Sequence, residues 1–153
     1  MNETQDVGKY EFVKVIEELG YTIELRPFTP FSGEKNWGKL CLMDDGKHSG
    51  EVRFRKNTEN NATIREKIAG TRKTQDNSYL AWAILDLSVI AVAHAVATER
   101  VPLDKLKPKI DSFGPNTQMK FNDALEMFGY SLSQYEESVK ASGIKAKSNK
   151  PKP

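Results

Sequence analysis

Arg53 and Arg55 stand two residues apart in the run Glu51-Val52-Arg53-Phe54-Arg55, so on a strand they project from the same face. Lys47 precedes them, Lys56 follows, and Arg72 and Lys73 close the next segment. From Lys47 to Lys73 the chain carries eight bases against three acids, an excess of five, and from Ile144 onward it adds four lysines and no acid. Clustered cations on a ribbon suit a polyanion, because each phosphate neutralised by Lys or Arg releases condensed counterions. A two-stranded ribbon also fits a major groove. These residues predict a small non-enzymatic binding protein that contacts DNA or RNA through Lys47, Arg53, Arg55, Lys56, Arg72 and Lys73. The prediction needs guanidinium groups clear of acidic neighbours; paired with Glu24 or Glu51, the same residues form an ordinary solvated sheet face.

A second group is aromatic. Phe28, Phe31 and Trp37 border a loop that also holds Pro27, Pro30 and Gly33. Folded back, they form a local cluster; exposed, they are anchors for a protein interface or for stacked bases. This supports the alternative of an accessory protein-binding factor, of the immunity, anti-defence or assembly type, acting through the 28–37 loop and the sheet edge.

Other chemistry is thinly equipped. One cysteine, Cys41, and two histidines, His48 and His94, fall short of an obvious zinc ligand set. A metal-dependent nuclease needs convergent acids followed by acid-x-lysine; here Asp44 or Asp45 precedes Glu51-Val52-Arg53, with arginine where lysine belongs. No phosphate-cradling glycine loop, Gly-x-Ser-x-Gly or His-Glu-x-x-His occurs. No catalytic residue, metal ligand set or cofactor is therefore assigned.

The elements that must position these residues follow from periodicity. Helical spacing runs from about Lys9 to Leu19, and Tyr21 to Arg26 alternates as a strand. The segments WGKLCLM and EVRFRK form a hairpin around Asp45-Gly46. Thr63-x-x-Glu66 resembles a capping box opening a short helix that Gly70 closes. Helices follow from about Tyr79 to Thr98, Asn116 to Phe128 and Ser131 to Ser142, the last capped by Ser131 and Gln134, while Pro102 and Pro108 bracket a connector. The fold class is α+β: an N-terminal helix, a three-stranded antiparallel sheet and a mainly helical C-terminal half with one long buried central helix. Residues 1–143 read as a single domain and 144–153 as a disordered basic tail.

Tyr79 to Ala97 is close to the ~20 apolar residues that span a bilayer. Asp86 near its middle costs about 2.5–3.5 kcal/mol on an insertion scale, so a core helix is expected and no membrane. Asp86 then needs a partner, with Arg65, Arg72 or His94 as candidates, unless the 79–97 helix pairs with a second copy. The N-terminal dozen residues lack an apolar secretory segment, and with one thiol the expected compartment is the cytoplasm. Net charge of +2 over 153 residues excludes a uniformly basic or acidic protein, leaving charge distribution to decide.

Overall fold

The structure is a computed structural model that describes residues 11–56, 60–69 and 79–142. Its elements are α1 (Glu11–Glu18), β1 (Thr22–Pro27), β2 (Trp37–Asp44), β3 (Lys47–Arg55), α2 (Asn61–Ala69), α3 (Tyr79–Ala97), α4 (Leu103–Asp111), α5 (Pro115–Met127) and α6 (Leu132–Ser142). The chain divides into two compact units, residues 1–91 and 92–153, with the boundary inside α3.

In the first unit the strands form one antiparallel sheet in the order β1-β2-β3. Asp45 (φ 53°) and Gly46 (φ 84°) are both left-handed and form the two-residue loop between β2 and β3. Two positive φ angles define a type I′ turn, whose twist matches that of the flanking strands. Ile23, Leu25, Leu40, Leu42, Val52 and Phe54 share one face by register; Leu40 and Leu42 are fully buried. Both α1 and α2 pack against β1, and Val13, Ile16, Tyr21, Ile64, Leu80, Ile84 and Leu87 are among the other apolar residues buried in this unit. Gly20 closes α1 in a left-handed conformation (φ 96°), with Tyr21 N–H donating to Ile16 C=O as in a Schellman motif.

α2 begins two residues before the Thr63 expected to cap it. Asn60 is the cap, its Oδ1 accepting from the Thr63 amide at 2.8 Å, as an asparagine ahead of the first helical residue should. Gly70, Arg72, Lys73 and the lysine tail lie outside the described residues.

The second unit holds α4, α5 and α6, with α6 packing on both α4 and α5. Phe121 is fully buried, with Phe113 tilted against it at 5.7 Å and Tyr135 edge-on at 5.8 Å. α6 has the expected reciprocal cap: Ser131 N–H donates to Gln134 Oε1 and Gln134 N–H to Ser131 Oγ. The Pro102–Pro108 connector is instead a helix. Pro102 occupies its N-cap and Pro108 lies inside, where the missing amide costs one hydrogen bond while Leu106 and Ile110 stay buried. α3 is long and apolar enough to cross a membrane, and 61% of its most apolar window is buried in the fold, as in a core helix.

Candidate binding surface

The opposite face of the sheet carries the side chains singled out by alternation. Register places Arg26, Lys39 and Arg53 in one row, Glu24, Cys41 and Glu51 in the next, and Trp37 beside Arg55 at one end. Cations and acids thus sit one rung apart.

They pair accordingly. Glu51 is the hub: its Oε1 accepts from Lys39 Nζ at 3.2 Å and lies 3.1 Å from His48 Nε2, while its Oε2 accepts from Arg53 Nε at 3.1 Å. Burial pushes the Glu51 carboxyl up, but its contacts with Lys39, Arg53 and His48 outweigh this and hold it below its ordinary range. Arg26 donates to Glu24 Oε1 at 2.8 Å. Arg55 reaches Glu34 at 3.7 Å, the same carboxylate that accepts the Trp37 indole N–H at 2.8 Å. Lys56 Nζ donates to Asn61 Oδ1 at 2.9 Å, and Lys47 is exposed at the start of β3.

The expected free cationic ribbon is therefore corrected. Arg53 and Arg55 do face outward together, but each guanidinium stands by a carboxylate. The sequence places Glu51 two residues from Arg53 on the same face, within side-chain reach once the strand is extended. These pairs are exposed, and exposed ion pairs contribute only about 0–1 kcal/mol each.

The aromatics divide. Phe28 and Trp37 fold together, edge-on at 6.0 Å. Arg53 lies 4.7 Å over the Phe28 ring and Arg55 5.4 Å from the Trp37 ring centre. Phe31 remains wholly exposed. Two further exposed aromatics were not assigned from sequence: Tyr79 and Trp82, 51% and 62% accessible, on the first turns of α3. Their i, i+3 spacing is legible, but they lie within an apolar stretch whose composition predicts a core helix covered on most sides.

These last residues flank the edge of the sheet. Lys56 N–H donates to Asn36 C=O at 2.6 Å, so Lys56 faces the β2 side. Parity then directs the backbone groups of Phe54 and Val52 toward β2, and those of Glu51, Arg53 and Arg55 away from it. Among the described residues no strand pairs with that outer edge. A groove of about 360 Å³ runs there, lined by Trp37, Arg53, Arg55, Tyr79, Trp82 and Asp86, among others. Asp86 is half-buried in it, and its candidate partner Arg72 lies outside the described residues.

Neither Asp44 nor Asp45 joins Glu51 in a metal-ligating group among the described residues; the group that forms is Cys41, His48 and Glu51. His94, half-buried on α3, sits edge-on to Phe128 at 5.0 Å. Comparison with protein-family models, with curated proteins and with solved structures finds no match to this chain.

Proposed function

We propose that the chain is a non-enzymatic protein-binding factor that takes an extended segment of its partner along the free edge of β3. The observation that carries this reading is the row of outward-directed backbone groups at Glu51, Arg53 and Arg55 beside a groove walled by exposed Tyr79 and Trp82. A strand added at an open edge gains main-chain hydrogen bonds, and pockets for alternate side chains supply selectivity. Trp82 is 62% exposed, and covering on the order of 100 Å² of such an aromatic contributes about 2–3 kcal/mol. Phe31, wholly exposed in the 28–37 loop, offers a further apolar side chain to a partner. A cytoplasmic location belongs to the same proposal, supported by the free thiol of Cys41.

Panning a displayed library of extended peptides against the full chain tests it. Selected ligands are expected to weaken at least tenfold with Trp82→Ala and to be lost with Arg53→Pro, whose ring removes an edge-facing amide without touching the β2–β3 ladder. Arg53→Ala should retain binding, and ligand should slow amide exchange at Glu51, Arg53 and Arg55. A library that yields no ligand, or ligands indifferent to Arg53→Pro, overturns the reading.

Contact with DNA or RNA is the second reading, favoured by the guanidinium groups lying over Phe28 and Trp37. Unpaired bases would take the place of the arginines on the rings, and the arginines would turn to phosphate. That mode requires steeply salt-dependent binding of single-stranded probes, weakened by a combined Arg53→Ala, Arg55→Ala change. Peptide docking at the edge requires little salt dependence.

A further inference from the structure

Cys41, His48 and Glu51 meet on the open sheet face because of one irregularity in the hairpin. Strict alternation along β3 would send His48 and Glu51, three residues apart, to opposite faces. The β2–β3 register slips between Leu42 and Met43: Leu42 faces Gly50 while Met43 faces His48, leaving Ser49 as the extra residue of a β-bulge. A single inserted residue reverses the phase of everything beyond it. His48 therefore lands on the face of Glu51, one rung from Cys41, whose direct cross-strand partner is Glu51 itself.

The ligand atoms of the three residues all lie within 4.8 Å of one another. His48 Nε2 and Glu51 Oε1 are already 3.1 Å apart. In a tetrahedral site with metal–nitrogen and metal–oxygen distances near 2.0–2.1 Å, two such donors stand about 3.3 Å apart, and sulfur stands about 3.5–3.6 Å from either. No pair has to close by more than about 1.5 Å to reach that geometry, a movement within the range of side-chain rotation.

We propose that Cys41, His48 and Glu51 form a three-ligand site for a zinc-class divalent ion, with the fourth position taken by water. A thiolate, an imidazole and a carboxylate suit a borderline-soft cation, whereas magnesium and calcium select all-oxygen sets. Cys41 gives up its thiol proton to solvent as the metal–sulfur bond forms, and the two anionic ligands then balance the dication. Lys39 leaves the Glu51 Oε1 it shares with His48, while Arg53 keeps its bond to Oε2 and orients the carboxylate from outside the coordination sphere. Cys41 is fully buried, so the ion enters from the His48 side, where the imidazole side chain is 41% accessible.

Cobalt(II) and zinc(II) titrations of the full chain, stripped of metal by chelator, decide the matter. One equivalent of cobalt is expected to bring up a thiolate-to-cobalt charge-transfer absorption in the near ultraviolet, bleached by one equivalent of zinc. Zinc binding should release one proton per chain. Cys41→Ser should abolish the absorption, and His48→Gln, at an exposed hairpin position, should weaken zinc at least tenfold while leaving the circular dichroism of the metal-free chain unchanged and its melting midpoint within about 2 °C of wild type. If Cys41→Ser does not fold, His48→Gln carries the test alone. Cobalt spectra without the charge-transfer band, or zinc affinity unchanged by His48→Gln, overturn the site. Peptide binding at the β3 edge is unaffected by either result.

Discussion

Glu51→Gln measures how much the open face depends on its central carboxylate. The change keeps shape and removes charge, leaving Lys39, Arg53 and His48 without their shared anion. The Lys39 contact is the best shielded, with side chains 26% and 22% accessible, whereas Arg53 is 58% accessible and His48 41%. Taking the upper end of the exposed-pair range for Lys39 and a few tenths of a kcal/mol for each of the others gives about 1–2 kcal/mol. Glutamine retains a neutral acceptor, which brings the expected loss at pH 7 to about 1 kcal/mol. Urea denaturation in the presence of chelator, at neutral and acid pH, is the assay. Because the folded-state carboxyl titrates below its ordinary 4.5, its contribution is fully present above that value and is lost as pH falls through the folded-state pKa. Wild type and variant should therefore converge in acid. A gap that persists undiminished at about pH 2–3, or one above about 3 kcal/mol at neutrality, would refute the electrostatic account and point to packing.

Gly46→Ala should cost about 1 kcal/mol in chemical denaturation, because an added Cβ meets nothing within 4 Å and the whole penalty lies in the left-handed backbone at φ 84°; an unchanged midpoint would contradict the turn assignment. Tyr135→Phe should stabilise the chain by about 1 kcal/mol at neutral pH, since the Tyr135 hydroxyl is buried without a hydrogen-bond partner among the described residues. Burial pushes the Tyr135 phenol from its ordinary 10.0 up to about 12. Its neutral form is thus favoured in the folded state, and wild-type stability should decline between those values as the unfolded chain ionises, a decline the phenylalanine variant lacks. Equal alkaline profiles for the two proteins would count against that burial.

Much of the scaffold was legible because it rests on local rules. The alternation in EVRFRK put Glu51, Arg53 and Arg55 on one face, Asp45-Gly46 marked the turn, and Ser131 with Gln134 marked the start of α6. What sequence hid were features where one local rule yields to another. The two prolines of α4 read as breakers, yet one occupies the cap and the other sacrifices a single amide to keep Leu106 and Ile110 inside. Alternation also puts Cys41 on the polar face, yet its complete burial is a tertiary property of the central strand, where Glu24 and Glu51 flank it from either side. The outward cations and a Glu51 partner for Arg53 were visible; the Arg55–Glu34 contact was not, because Glu34 reaches Arg55 from a loop with no periodicity to place it. The edge groove joins residues of β3 to Tyr79 and Trp82, far along the chain, a proximity that only the tertiary structure supplies.

Ser49 is a spacer that the ladder steps over. Its hydroxyl makes only a 3.4 Å contact with the Lys47 carbonyl oxygen, so most residues tolerant of a kinked strand would serve there. Without that position Leu42 would still face Gly50 and Met43 would still face His48, so the imidazole would keep its side of the sheet and the strand would lose only its kink. Deletion scanning should therefore find Ser49 as dispensable as substitution scanning does.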